Sequence, residues 1–257
     1  MERPNREERR AIKRGLYLAP FDRLADPRLL AELAGRAESR GWDGLFLWDR
    51  IAYPPPGRAV ADPWVALSAI AMATETLRLG PMVVPLARRR VQKVARETVT
   101  LDQLSDGRLT MGVGLGNPTD FETFGEVVDL RERARVLDES LERLDRFWRG
   151  EFSPAPVQRP RIPVWVAMKW PSRRPLRRAI RWDGLFPIDL PGPEQLAVLV
   201  EEVSQARESD DHFDVVVDVP PGADVRQWAT AGATWVLTSI EPQPPEQVVR
   251  EVIEAGP

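Results

Sequence analysis

Residues 77–116 read LRLGPMVVPLARRR, then VQKVARETVTLDQLS, then DGRLTMGVGLG. The first piece predicts a strand from Leu77 to Pro85, the second a helix from Val91 to Ser105, and the third a strand from Arg108 to Leu115. A short apolar run, a longer amphipathic run and a second short apolar run make a strand–helix–strand unit, the repeat of a parallel sheet covered by helices. The same rhythm extends in both directions. Upstream lie strands at Leu16–Pro20 and Gly44–Trp48. Asp26-Pro27 and Asp62-Pro63 start helices, each with an Asp cap and a Pro that is already at helical φ. The first of these helices repeats Leu29, Leu30, Leu33, Ala34 and Ala37 at helical spacing. Downstream, a long charged helix from Leu130 to Arg149 precedes strands at Ile162–Met168, Gly184–Ile188, Phe213–Val219 and Thr234–Ile240. Helices from about Pro175, Pro193, Arg226 and Pro245 follow those strands.

Eight strand–helix pairs in 257 residues predict one (β/α)8 TIM barrel, a fold that typically needs ~250. Period alone does not show closure, so a doubly wound open sheet stays as the structural alternative. We take residues 15–257 as a single domain and the polar stretch 1–14 as a mobile N-terminal extension. That stretch lacks the apolar core of a secretory signal, and no apolar run approaches a membrane span, so the expected location is the cytoplasm. A net charge of −3 speaks against general nucleic-acid binding. With no cysteine, thiolate chemistry is excluded. With His212 as the one histidine, a catalytic zinc site is disfavoured, and no metal is expected.

In a barrel of this kind chemistry belongs to the C-terminal ends of the strands. Asp49 and Arg50 end the second strand. Asp49 is either an active-site carboxylate or the partner of a rim arginine. Arg88, Arg89 and Arg90 are either an anion site or a solvated run that pairs with acidic helix ends, the latter expected for at least two of them. Gly112, Gly114 and Gly116 alternate along a strand, so they do not form the dinucleotide fingerprint. Something bulky approaches the backbone there, either a flat ring or a neighbouring stave. Lys169, Arg173, Arg174, Arg177 and Arg178 cluster after the fifth strand, at a helix start suited to an anion. His212 precedes the seventh strand, on the face that serves stability. The tryptophans are expected to pack rather than to form a binding platform.

Several of these stretches, in order, resemble the luciferase-like monooxygenase family. They are Gly41-Trp-Asp-Gly-Leu-Phe-Leu-Trp-Asp49, Asp62-Pro-Trp-Val-Ala-Leu67, Leu77 to Arg90, Leu101-Asp-Gln-Leu-Ser-Asp-Gly-Arg108, Phe124-Gly-Glu126, Arg133-Ala-Arg-Val-Leu-Asp-Glu139 and Ala179 to Pro187. The resemblance implies a TIM barrel, usually a homodimer, that binds FMN or F420 across its C-terminal mouth. Hydride transfer, or monooxygenation, of a small organic substrate follows from it. The ring is implied over strands two to four, facing Asp49 and Arg50 and backed by Met82, Val83 and Val84. Gly114, Gly116 and Asn117 would allow close approach. Met168 and Lys169, with Arg173 and Arg174, would meet the cofactor and hold its anionic tail. A non-proline cis peptide bond between Met82 and Val83 is also implied. Arg50, Val84 and Met168 depart from the family's usual residues, so the alternative is a cofactor-free barrel kept as a binding or interaction protein.

Overall fold

A computed structural model describes residues 12–52, 59–126, 129–209, 211–240 and 244–257. Its strands, all parallel, are β1 (Lys13–Leu18), β2 (Gly44–Leu47), β3 (Arg78–Pro81), β4 (Val84–Pro85), β5 (Met111–Gly114), β6 (Val164–Lys169), β7 (Gly184–Ile188), β8 (Asp214–Val219) and β9 (Trp235–Ser239). They run in the order β3-β2-β1-β9-β8-β7-β6-β5-β4. The two ends of that order are successive pieces of one stave. β3 pairs with β2, β4 pairs with β5, and the cis peptide bond Met82–Val83 lies between them, as the resemblance implies. Leu79 closes the seam: its N–H donates to the Arg108 carbonyl (3.1 Å) and its carbonyl accepts from the Thr110 N–H (2.9 Å). The first and last staves pair as expected, with Gly15 opposite Leu237 and Leu16 opposite Thr238. The sheet is therefore a barrel of eight staves, and the open-sheet alternative falls.

Outside it lie α1 (Pro27–Ser39), α2 (Pro63–Ala73), α3 (Val91–Leu104), α4 (Pro118–Glu122), α5 (Leu130–Arg146), α6 (Leu176–Ala179), α7 (Pro193–Ala206), α8 (Arg226–Thr230) and α9 (Glu246–Ala255). Asp26 caps α1 through the Arg28 N–H, and Asp62 caps α2 through the N–H groups of Trp64 and Val65. The five apolar residues that mark α1 in the sequence are all buried. Residues 1–11 of the expected extension lie outside the described residues. Lys13 and Arg14 do not belong to it: β1 begins with Lys13 opposite Trp235. The sequence hides this because both side chains end at the wet lower rim. There Asp43 accepts from Lys13 Nζ (2.7 Å) and from the Arg14 N–H (2.8 Å).

Strand alternation builds two cores. One set, including Leu16, Leu18, Leu45, Leu47, Val84, Val113, Val166 and Met168, packs outward against the helices. The other fills the lumen with Tyr17, Phe46, Met82, Trp165, Phe186, Val216, Trp235 and Leu237. The Phe46 and Trp165 rings meet at 5.1 Å, and Trp165 and Trp235 at 5.5 Å. Aromatic bulk closes the centre of the barrel, so a ligand has to sit above it. Small residues make room for the bent stave. A Cβ on Gly112 would lie 2.3 Å from Met82 Sδ, and one on Gly114 would lie 3.0 Å from Val83. The bulky neighbour inferred from the alternating glycines is thus the chain's own third stave.

Candidate active site at the barrel mouth

The residues that end the staves divide into two sides. On the β2–β5 side a buried ion network crosses the rim. Asp49, just past β2, is 3% exposed. Its carboxylate accepts from Arg88 Nη2 (2.8 Å) and in a forked pair from Arg89, with Nη2 at 2.8 and 2.9 Å and Nε at 3.2 Å. Asp120, fully buried, accepts from Arg88 Nη1 (2.9 Å) and from Arg50 Nε (2.9 and 3.0 Å). Asn117 sets this up. Its side chain caps α4 through the Thr119 N–H (3.0 Å), which fixes the turn that carries Asp120. Burial pushes the Asp49 carboxyl up, against the pull of Arg89 and Arg88.

Two expectations change here. Of the arginine run only Arg90 is exposed; Arg88 and Arg89 are ion-paired, because the turn after β4 folds them back over the strand ends. Asp49 is the partner of two rim arginines, Arg88 and Arg89, and Arg50 is bound to Asp120.

The β6–β7 rim also differs from expectation. Lys169 is exposed and reaches Asp189 (3.1 Å). Arg173 stacks on Trp170 at 4.3 Å and pairs with Glu202 of α7 (2.8 Å). Arg178 pairs with Asp138 of α5, while Arg174 and Arg177 are exposed. Three of the five cations are thus held by carboxylates, at the end of β7, on α7 and on α5, and α6 behind them is a single turn. Met168 and Val84 are fully buried in the outer core. Alternation turns Met168 away from the mouth and leaves Ala167 facing it, so Met168 adds no bulk there. Likewise Met82 and Val83, not Val84, face the lumen. Gly116 has φ +78°, and a Cβ there would meet the Pro85 ring at 2.6 Å.

The floor of the mouth is Trp48, Val83, Ala167 and Ile188, partly exposed above the lumen core. Trp48 lies 5.7 Å from the Tyr17 ring and edge-on to Phe21 at 6.0 Å. Its Nε1–H is buried with no hydrogen-bond partner among the described residues, a state that costs ~1–3 kcal/mol. The Tyr17 hydroxyl donates to the Met82 carbonyl (3.0 Å) and so ties β1 to the bent stave. Burial, with Asp218 adding its charge, pushes the Tyr17 phenol far up, so it stays protonated.

Asp218, near the end of β8, completes this side. It follows Val216 by two residues, so it faces the lumen, while Val217 and Val219 pack outward. Burial first, and the charge of Asp189 second, push its carboxyl up to about 6. Sequence reasoning named neither Trp48 nor Asp218 nor Asp120 as a site residue. For Asp218 a signal existed: the strand DVVVDV carries two aspartates four apart, on one face of an otherwise apolar strand. Asp214, the other, binds His212 Nε2 (2.9 Å) and Trp165 Nε1 (3.1 Å) at the opposite rim, which agrees with a structural role for His212. Among the described residues no group is placed to hold a metal ion, and no helix is long and apolar enough to cross a membrane.

Comparison with known proteins agrees with this architecture. An uncharacterized protein of Mycobacterium tuberculosis is 31% identical over 258 residues, covering 87% of this chain and 90% of the relative. The F420-dependent tetrahydromethanopterin reductase of Methanopyrus kandleri superposes with a TM-score of 0.72 at 16% identity, covering 95% and 98% of the two chains. The FMN complex of the oxygenating constituent of 3,6-diketocamphane monooxygenase, from Pseudomonas putida, gives 0.67 at 19% identity, covering 82% and 67%. The model of the luciferase-like monooxygenase family matches residues 12–237, and the chain belongs to that family.

Proposed function

We propose that the protein is an oxidoreductase that binds F420 or FMN in the C-terminal mouth and acts on a small organic substrate, by hydride transfer or monooxygenation. The observation that carries this reading is the Trp48 indole. It offers a buried N–H, unpartnered among the described residues, at the edge of an apolar floor. A planar ring with acceptor atoms on its rim satisfies both features. When bound, such a ring supplies the hydride or oxygen chemistry, and the protein supplies binding, orientation and electrostatics. Trp48 orients the ring edge. Val83 and Ala167 support its face, with Gly114 leaving room between them. The Arg50–Asp120–Arg88–Asp49 network holds the β2–β5 wall rigid. Lys169, Arg173 and Arg174 are the nearest cations for an anionic tail, and binding there requires the first two to leave their carboxylates.

Titration of the purified protein with F420 and with FMN, followed by fluorescence, tests the reading. Saturable binding of one of them is expected, weakened in Trp48→Phe. Binding of neither favours the cofactor-free alternative, which the ion pairing of Asp49, Arg88 and Arg89 supports.

The assembly that accompanies this reading is a homodimer. Val65 and Met72, seven residues apart on α2, are 63% and 71% exposed, and Leu104 of α3 is 41% exposed. Large apolar side chains exposed together on neighbouring helices mark a contact surface. Val65→Glu with Met72→Glu is expected to halve the mass in sedimentation equilibrium and to leave the barrel folded.

A further inference from the structure

The two sides of the mouth treat acids differently. Asp49 and Asp120 are held by arginines; Asp218 has no cation within ion-pair distance among the described residues. It is half-buried, on the lumen side of β8 one step above Val216. The groups that face it can be named element by element. β1 offers Tyr17, whose hydroxyl is committed to the Met82 carbonyl. The end of β7 offers Asp189, which is engaged with Lys169 of β6. β9 (Trp235–Ser239) carries no titratable side chain. Phe186 stands edge-on to Tyr17 at 5.8 Å, and Trp48 flanks Tyr17 on its other side. The result is one uncommitted carboxyl beside an aromatic wall.

We infer that Asp218 exchanges the proton of the reaction with the oxygen of a small, mostly apolar carbonyl or alcohol substrate held above the lumen core against Trp48 and the edge of Tyr17. The inference rests on the reading of the mouth as a flavin or deazaflavin site. In the reducing direction the carbonyl carbon gains a hydride from the reduced ring, which is left oxidised. The C=O π bond breaks, and its electron pair takes the Asp218 proton to form the O–H bond. Water at the mouth then reprotonates the carboxylate. In the oxidising direction Asp218 takes the hydroxyl proton as the hydride leaves. Such a group works best when both of its forms are populated near the working pH. A carboxyl pushed up to about 6 meets that condition, and an ion-paired one would not.

The test uses the protein loaded with whichever cofactor binds, and cyclohexanone as the probe. Cyclohexanone binding, read from cofactor fluorescence, is expected to weaken at least about tenfold as the carboxyl loses its proton between about pH 5 and pH 8. Asp218→Asn, whose amide donates at every pH, is expected to flatten that dependence, and Asp218→Ala to remove the binding while cofactor affinity stays within about twofold. In carboxyl-labelled protein, a resonance titrating near pH 6 is expected to be missing from Asp218→Asn. A pH-independent or absent response of the loaded wild-type protein to cyclohexanone overturns the proton role and leaves the cofactor reading intact. Failure of wild-type protein to bind either cofactor overturns both.

Discussion

Asp49 and Asp218 both stand at the ends of barrel staves, on opposite sides of one mouth. Asp49 accepts four close contacts from Arg88 and Arg89, and its side chain is wholly buried. Asp218 is half-buried, without a cation among the described residues, beside Tyr17. A strand-end position makes a carboxylate a candidate for chemistry, and its partners decide whether it takes part. Two guanidiniums hold the Asp49 carboxylate in place. A lone carboxyl beside aromatics is costly when charged and can gain or lose its proton, so it suits turnover. The β2–β5 wall is thus built to stay fixed, and the β8–β1 wall to titrate.

The largest expected effect comes from breaking the fixed wall. Asp49→Ala leaves the Arg89 guanidinium buried without its carboxylate, and Asp120→Ala takes from Arg88 one of its two, a loss on the order of 3–5 kcal/mol. In a domain of this size, melting is expected to fall on the order of 10 °C. Calorimetry of both variants checks this. A fall of only a degree or two would mean that the network is wetter and looser than the 0–5% exposure of Asp49, Asp120 and Arg88 side chains implies.

Little of that wall was legible in the chain, although the fold was. Asp26-Pro27, Asp62-Pro63 and the apolar spacing of α1 are local signals, and each did locally what its chemistry dictates. Even the alternating glycines spoke truly of a close approach, and Met82 and Val83 are among the groups that approach. Ion partners are not local. Asp49 finds Arg88 and Arg89 across 39 and 40 positions, and Asp120 finds Arg50 across 70. A run of three arginines therefore reads as solvated until the fold brings carboxylates beneath it. Met168 was misjudged for another reason. One step of strand register decides whether a side chain faces the mouth or the helices, and the sequence leaves the register of β6 open.

A smaller effect of opposite sign is expected on the titrating wall. The Asp218 carboxyl sits at about 6 in the folded chain against an ordinary 3.8. A raised carboxyl favours the fold fully below the unfolded value, and the advantage is lost as pH rises through about 6. Above that, the folded protein carries a charged, half-buried carboxylate that the unfolded chain solvates freely. Asp218→Asn removes that cost, so the variant is expected to be more stable than wild type at about pH 7.5, by on the order of 1–3 kcal/mol. The gap is expected to close by about pH 4. Denaturant titrations at the two pH values measure it, and a gap that stays constant with pH would show that Asp218 does not titrate in this range.

The smallest stability effect is expected at the β6–β7 rim, and it decides to which wall that rim belongs. The pair between Arg173 and Glu202 is about one-third exposed on each side, and Arg174 is open to solvent. Exposed pairs of this kind contribute ~0–1 kcal/mol, so Arg173→Ala with Arg174→Ala should leave melting nearly unchanged. Cofactor binding is the informative measurement. A phosphate at this rim would gain charge-assisted hydrogen bonds, each ~1.5–3 kcal/mol, but Arg173 would first give up Glu202 and its place over Trp170. The exchange cancels part of the gain, so the double substitution is expected to weaken F420 or FMN binding by about tenfold or somewhat more rather than abolish it. Glu202→Gln, which frees Arg173 without removing it, is then expected to tighten binding. If both variants bind as wild type does, the rim cations are fixed in their own pairs like the β2–β5 wall, and the anionic tail lies elsewhere on the mouth.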